Sequence, residues 1–237
     1  MRKKYLEFDE RGSIVIYLLI LISLLFFLVF RALFYSKMTL LLVNNEVKKE
    51  EIKNKILLIT DVVSNLIKKR ELYDSFFDNG FFEFYKKPNF LKIDDKKYLI
   101  KVESEKDKVN LNTSSDFKIK QVVFEKLKDD FPYEFLDSIS DKILDWRDKD
   151  NYVRAHGAEK DEYKNLGYLP KNGNFSSIFE LKYVKDVNEN VFKKLIEIFT
   201  IYGKNVYRFY LKINKNEYIV FFYNTSKGFR ILDWGKI

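Results

Sequence analysis

The segment that decides the fold runs from Ser13 to Phe30 and reads SIVIYLLILISLLFFLVF. It is uncharged throughout, and its length as a helix reaches the lower limit for crossing a bilayer core of roughly 30 Å. A core helix that is apolar on every face would be unusual in a domain this small. We therefore predict that Ser13 to Phe30 spans a membrane.

The charges on either side of this segment predict its orientation. Basic residues are denser before the span, as Arg2, Lys3, Lys4 and Arg11, than just after it, as Arg31 and Lys37. This excess of positive charge predicts a cytoplasmic N-terminus, with the rest of the chain across the membrane. The span ends in Phe-Leu-Val-Phe-Arg, without the small residues that signal peptidase requires, so we expect it to stay attached.

The composition of the 237-residue chain limits the kinds of function. Lys and Arg number 43 against 35 Asp and Glu, and the net charge of +8 makes nucleic acid or an anionic surface a candidate partner. The absence of cysteine excludes disulfides, zinc–thiolate sites, iron–sulfur clusters and thiol catalysis. One histidine, His156, leaves little material for histidine-based catalysis. We therefore expect a protein that is not an enzyme.

The chain after the span keeps a helical pattern with one apolar face. Apolar residues recur mostly at spacings of three and four, which indicates an amphipathic helix. They are Val43, Val47, Ile52, Ile56, Ile59, Val63, Leu66 and Ile67. We predict one long stem helix over residues 13–72, half of it in lipid and half packed on a soluble domain.

The start of the chain resembles that of type IV pilin-like proteins, in which a short basic leader and a glycine precede an apolar helix. Here the leader is residues 1–12, and Gly12 directly precedes Ser13. The resemblance implies that prepilin peptidase cuts between Gly12 and Ser13. An ordinary signal anchor followed by an unrelated helix is the alternative. Most pilins carry a glutamate at the fifth mature position, where this chain has Tyr17, and its loss is consistent with a subunit at a filament tip.

Short β-like runs lie on both sides of a block that is mainly helical from Asn110 to about Thr200. Before the block, Phe90–Ile93 and Lys97–Val102 read as a hairpin that turns at Asp94-Asp95. After it, three aromatic and β-branched runs predict an antiparallel meander. These runs are Val206–Ile213, Glu217–Tyr223 and Phe229–Trp234.

This order predicts an α+β domain with a helical insertion between strands of one sheet. We expect residues 73–105 and 204–237 to form the α+β domain. Residues 106–203 form the insertion, which we call the helical lobe. Asn112, Thr113 or Ser114 is expected to cap the first helix of the lobe.

The helical lobe carries several uncommon short stretches in a fixed order. They are Asn110-Leu-Asn-Thr113, Asp145-Trp-Arg-Asp-Lys-Asp150, Gly157-Ala-Glu159, Tyr168, Lys171-Asn172 and Glu180-Leu181, with Leu232-Asp-Trp234 near the end. In this order they resemble the K-type minor pseudopilins (GspK) of the type II secretion system. The resemblance implies a type IV pilin-like fold, with a long N-terminal helix on an antiparallel sheet and a SAM-like helical lobe between strands.

The same resemblance implies a function, a set of partners and a location. The chain would cap the tip of the periplasmic pseudopilus together with the I- and J-type minor pseudopilins, and so help protein export across the outer membrane. Prepilin peptidase and the inner-membrane secretion platform are the other implied partners. The expected location is the bacterial inner membrane, crossed once, with the C-terminal domain in the periplasm. Members of the family usually run longer, so we expect a smaller, single compact lobe.

Five carboxylates of the lobe suggest a metal site. They are Asp145, Asp148, Asp150, Glu159 and Asp161. Hard oxygen ligands clustered in a loop suit calcium, and the K-type resemblance also implies calcium in this lobe. The spacing does not match an EF-hand loop, so the site would be irregular. The alternative is a solvated acidic loop in which Asp148 pairs with Arg147 or Arg154 and Asp150 caps the next turn.

Two other functions stay open at this point. A minor pilin of a type IV pilus or competence pseudopilus would share the stem but not the stretches of the lobe. A membrane-anchored, helix-hairpin-helix-like nucleic-acid-binding protein would share Asn-Leu-Asn-Thr, but that motif needs a glycine-rich hairpin. No glycine lies between Lys118 and Lys142, so we expect no nucleic acid as partner.

Overall fold

The computed structural model describes residues 10–68, 89–93, 96–213, 215–225 and 228–237. The chain divides into two compact units, Met1–Leu58 and Ile59–Ile237. The predicted turn at Asp94-Asp95, residues 73–88 of the predicted α+β domain, and the leader up to residue 9 lie outside the described residues.

The N-terminal stem is one helix, α1, which covers Glu10–Lys68. The helix is long and apolar enough to cross a membrane, as predicted for the segment from Ser13 to Phe30. Gly12 and Ser13, the predicted cleavage site, lie in its first two turns.

The predicted apolar face of the stem is buried only in its later part. In the first unit, the side chains of Val43 and Val47 are 53% and 61% exposed, whereas that of Ile56 is buried. In the second unit, Ile59 and Val63 are buried. The packing of the stem on the soluble domain stays a prediction.

The predicted strands form one antiparallel five-stranded sheet in the order β1-β2-β5-β6-β7. Its strands are β1 (Asn89–Ile93), β2 (Lys96–Ser104), β5 (Val206–Ile213), β6 (Asn216–Thr225) and β7 (Gly228–Lys236). In the register, Ile100 pairs with Leu211 and Ser104 pairs with Tyr207. The hairpin and the meander predicted from the sequence are thus joined through β2 and β5, and the predicted α+β fold is confirmed.

The strand β6, which lies between β5 and β7, is buried on both faces of the sheet, since Tyr218 to Phe222 are all buried. Two of its residues, Ile219 and Phe221, belong to the same hydrophobic cluster as the apolar residues of the lobe. Successive side chains of a strand point to opposite faces, so the lobe covers the face that carries Ile219 and Phe221. This burial explains why the strand reads as a continuous apolar run instead of alternating with polar residues.

The helical lobe occupies the chain between β2 and β5, as predicted. Its helices are α2 (Asp116–Leu127), α3 (Tyr133–Arg147), α4 (Lys160–Tyr163) and α5 (Glu189–Ile198), with short 3-10 helices at Lys164–Leu166 and Ile178–Tyr183. Two short strands, β3 (Val109–Asn110) and β4 (Phe199–Thr200), pair in parallel where the chain enters and leaves the lobe.

The cap of α2 differs from the prediction. The N-cap residue is Ser115, whose hydroxyl accepts a hydrogen bond from the backbone N–H of Lys118 at 3.3 Å. The side chain of Asn112 is engaged elsewhere, because its oxygen accepts from the N–H of Phe175 at 2.8 Å and its nitrogen donates to the carbonyl of Phe175 at 2.9 Å. Asn112 therefore ties the start of the lobe to a distant loop.

Candidate metal centre

The candidate site lies where α3 ends and the following loop returns to α4. Asp145 stands in the last turn of α3, and Asp148 is its C-cap residue. Asp150 follows in the loop, and Glu159 is the N-cap residue of α4. The N–H of Glu159 donates to the carboxylate of Glu162 at 2.8 Å, which fixes the start of this short helix.

Asp145 is buried completely and organises the loop around its carboxylate. Its oxygens accept hydrogen bonds from the guanidinium of Arg154 at 2.6 Å and from the N–H of Ala158 at 2.9 Å. Burial raises the pKa of Asp145, and the hydrogen bonds from Arg154 act in the opposite direction. Both oxygens of Asp145 therefore accept hydrogen bonds within the protein, and this residue does not join the group of carboxylates described next.

Three of the predicted ligands come together. Asp148, Asp150 and Glu159 each offer a carboxylate oxygen, and these oxygens all lie within 4.8 Å of one another. The guanidinium of Arg154 contacts Oδ2 of Asp148. Asp161 lies apart from this group, because its carboxylate is exposed and contacts Lys164 at 2.6 Å.

A neutral residue, Asn172, lies against these carboxylates and was not predicted as a ligand from the sequence. The side-chain nitrogen of Asn172 donates to the carbonyl of Asp150 at 2.6 Å, so the amide lies against the acidic loop. The neighbouring Gly173 donates its N–H to the carbonyl of Trp146 at 3.3 Å, which holds this segment against α3. The signal in the sequence was the Lys171-Asn172 stretch.

Three oxygens of the cluster are buried without a hydrogen-bond donor in the part of the chain that the structure describes. They are Oδ1 of Asp148, Oε1 of Glu159 and Oδ1 of Asn172. Buried oxygens normally have a partner, and a hard cation such as calcium satisfies several oxygens at once. The residues present therefore fit a bound calcium ion.

The electrostatics of the cluster agree with this fit. Burial, together with the negative charges of Asp145 and Asp148, raises the pKa of Glu159 to about 7. The cluster thus concentrates more negative charge than Arg154 neutralises. A divalent cation would supply the missing positive charge and favour the ionised form of Glu159.

A second acidic group in the lobe already has its own cation. Asp137, Asp141 and His156 each have a possible ligand atom in one small volume. The ammonium of Lys120 lies 3.1 Å from Asp137 and 2.6 Å from Asp141, and His156 Nδ1 lies 2.9 Å from Asp137. The hydrogen bond from Lys120 is the largest cause that lowers the pKa of Asp137. Lys120 therefore neutralises part of the negative charge of this group within the protein.

Comparison with known proteins finds a family model that matches the helical lobe. The family model described as "Type II secretion system (T2SS), protein K" matches residues 107–204, which are almost the whole helical lobe. Among solved structures, the chain is similar to one in the GspK-GspI-GspJ complex from the type 2 secretion system of enterotoxigenic Escherichia coli. The identity is 13%, with 65% of this chain and 84% of that chain covered and a TM-score of 0.43. No curated protein matches the sequence.

Proposed function

Because its helical lobe matches protein K of the type II secretion system, we propose that this chain caps the tip of the pseudopilus as a minor pseudopilin. The observation that carries the proposal is the combination of this lobe with a pilin-like frame. The lobe is inserted between two neighbouring strands, β2 and β5, of an antiparallel sheet, and the chain starts with a long apolar helix. An ordinary signal anchor explains the helix but leaves the matched lobe unexplained.

The stem helix supplies the anchor and the assembly surface in this proposal. Its side chains from Ile14 to Val43 are exposed, including the large apolar ones, so they are free to meet lipid or other apolar helices. The proposed location is the bacterial inner membrane, crossed once, with the N-terminus in the cytoplasm and the second unit in the periplasm. The proposed neighbours are the stems of the I- and J-type minor pseudopilins, and the inner-membrane secretion platform lies at the base.

The tip position follows from the bulk of the lobe and from one missing charge. Pilins use a carboxylate at the fifth mature position to meet the N-terminal amine of a neighbouring subunit, whereas this chain has Tyr17 there. A subunit at the tip has no neighbour above it. The helical lobe then obstructs the addition of further subunits, and no reaction is expected of the chain itself.

The cleavage site gives the sharpest test of this function. We expect prepilin peptidase to cut between Gly12 and Ser13 when the full chain is co-expressed with it, and mass spectrometry of the mature N-terminus measures this directly. A Gly12→Leu variant is the control, and it should keep its leader. Retention of Met1, or a cut at any other position, would refute the pseudopilin function.

Calcium is the proposed ligand of the cluster formed by Asp148, Asp150, Glu159 and Asn172. Its support is the set of buried carboxylate and amide oxygens without a donor, a type of ligand that calcium prefers. Bound calcium would neutralise the cluster and hold the loop after α3 in place. The role is structural, because it stabilises the folded lobe.

A further inference from the structure

One arginine is buried completely at the junction between the sheet and the helical lobe. Arg208 lies in β5, and its Nε and Nη2 atoms donate to the two carboxylate oxygens of Glu105, with 2.6 Å between Nη2 and Oε2. Glu105 directly follows β2, where the chain enters the lobe, and its side chain is equally buried. The two side chains therefore form a bidentate ion pair that water does not reach.

The same guanidinium also holds the segment through which the chain leaves the lobe. Its Nη1 atom donates to the carbonyl of Ile196, and its Nη2 atom donates to the carbonyl of Phe199 at 3.0 Å. Ile196 lies in the last turn of α5, where carbonyls have no partner inside the helix and where a cation is favourable. The guanidinium carbon also lies 4.9 Å from the ring centroid of Phe221 in β6.

These contacts indicate a role in orientation more than in stability. A buried ion pair adds little net stability over apolar residues of the same shape, because the loss of hydration offsets the attraction. The planar guanidinium of arginine holds several N–H donors in fixed directions. Here these donors meet the carboxylate of Glu105 and the carbonyls of Ile196 and Phe199 at the same time. We infer that Arg208 is a positioning residue that fixes the orientation of the helical lobe on the sheet.

Other polar contacts between lobe and sheet are built differently. Lys182 of the lobe donates from Nζ to the carbonyl of Lys236 in β7 at 2.7 Å, and Nζ of Lys108 lies 3.0 Å from Glu103 in β2. Asp233 of β7 accepts hydrogen bonds from the hydroxyl of Ser177 at 2.5 Å and from that of Tyr202 at 3.2 Å. Both bonds meet at one carboxylate oxygen, so this contact alone fixes a point of the lobe and not its direction. Arg208 differs from these contacts because it is completely buried and its bonds reach the chain on both sides of the lobe. The inference does not depend on the proposed place of the chain at a filament tip.

Distances between spin labels measure the orientation of the lobe directly. The chain has no cysteine, so labels can be attached to introduced cysteines at exposed positions of the full chain in detergent micelles. One pair, Lys128→Cys with Lys212→Cys, joins the lobe to the sheet, and a second pair, Lys128→Cys with Lys160→Cys, lies inside the lobe. The test variant is Arg208→Met combined with Glu105→Met, which removes both buried charges and should therefore fold. The matched control is Arg230→Met, which removes an exposed arginine of β7.

We expect the double variant to change the lobe–sheet distance from one narrow distribution to a broad one, while the distance inside the lobe keeps its width. Arg230→Met should leave both distributions unchanged. The inference is overturned if the lobe–sheet distribution of the double variant stays as narrow as that of the wild type. It is also overturned if both distributions broaden together, because Arg208 would then support folding in general.

Discussion

The carboxylate of Asp145 occupies the place that a side chain on Gly157 would need. A Cβ atom built on Gly157 would lie 1.8 Å from Asp145 Oδ2, far inside the contact distance of two atoms. The same Oδ2 atom accepts the N–H of Ala158 at 2.9 Å. The glycine of the Gly-Ala-Glu stretch is therefore needed because the loop closes tightly around a buried carboxylate.

Replacing Gly157 with alanine should destabilise the lobe. The methyl group would displace the Asp145 carboxylate from its donors, and overpacking of this kind costs about 1–3 kcal/mol in the free energy of unfolding. Urea denaturation of the full chain measures the loss. Gly203→Ala is the control, because nothing lies within 4 Å of a Cβ at that position. Equal stability of the two variants would contradict the close contact.

The proposed calcium site predicts different effects for two acidic residues close in sequence. Glu159→Gln removes a clustered carboxylate and should weaken calcium binding by at least about tenfold. Mutation of residues that only hydrogen-bond to metal ligands already lowers metal affinity by about this factor. Asp161→Asn should leave binding unchanged, because the Asp161 carboxylate contacts Lys164 outside the cluster. Isothermal titration calorimetry with calcium measures both affinities. A wild-type chain that gives no heat with calcium would exclude the site.

Asn172 should contribute to binding through its side-chain oxygen. Its backbone has a φ of 49°, a left-handed conformation that glycine adopts without strain. Asn172→Gly therefore removes the amide and keeps the backbone. We expect weaker calcium binding, and the calcium-free chain should also lose some stability because the hydrogen bond to the carbonyl of Asp150 is lost. Asn165→Gly, at an exposed position, is the comparison. Unchanged affinity of Asn172→Gly would remove this residue from the ligand set.

The raised pKa of Glu159 predicts a pH dependence of stability without calcium. Between the ordinary value of 4.5 and the raised value of about 7, the folded chain holds a proton that the unfolded chain has released. The contribution of Glu159 to the free energy of unfolding therefore falls as the pH rises through this window. Glu159→Gln cannot ionise, so in a calcium chelator it should gain stability relative to the wild type between pH 5 and pH 8. Thermal unfolding at both pH values measures the difference, and a constant difference would contradict the shift.

The two hydrogen bonds between Asn112 and Phe175 should stabilise the lobe. Asn112→Ala leaves the N–H and the carbonyl of Phe175 without these partners, and such unpaired groups cost about 1–3 kcal/mol each where they are buried. Asn165→Ala is the control, and chemical denaturation is the measurement. The loss should be equal with and without calcium, because Asn112 lies outside the cluster.

The strands, the long N-terminal helix and the inserted helical lobe could be predicted from the sequence, because each depends on a local pattern of residues. Aromatic and β-branched runs marked the strands, an uncharged run marked the start of α1, and the helical block between strands predicted the insertion. The family match to residues 107–204 confirms the predicted resemblance to the K-type minor pseudopilins. The pair of β3 and β4 was not predicted, since two residues are too few to show a strand pattern.

The site was predictable only in part, because it depends on which side chains meet. Asp148, Asp150 and Glu159 were predicted and come together. Asp161 was included for its proximity in sequence, but the start of α4 carries it away from the cluster. Asn172 was missed because an amide gives no charge signal and reaches the site through a separate loop. The N-cap of α2 is Ser115 and not one of the predicted residues 112–114. The side chain of Asn112 forms hydrogen bonds with the backbone of Phe175 instead.

The parallel pairing of β3 and β4 has an evolutionary consequence. Val109 pairs with Phe199, so the lobe begins and ends at one place. In the sheet next to this place, Ser104 at the end of β2 pairs with Tyr207 in β5. If the lobe were cut out, a short turn from Ser104 to Tyr207 would leave an ordinary hairpin of β2 and β5. Insertions are tolerated where the ends of the inserted piece lie close together. A lobe inserted at this point can therefore be lengthened, shortened or exchanged without a change in the order of the strands.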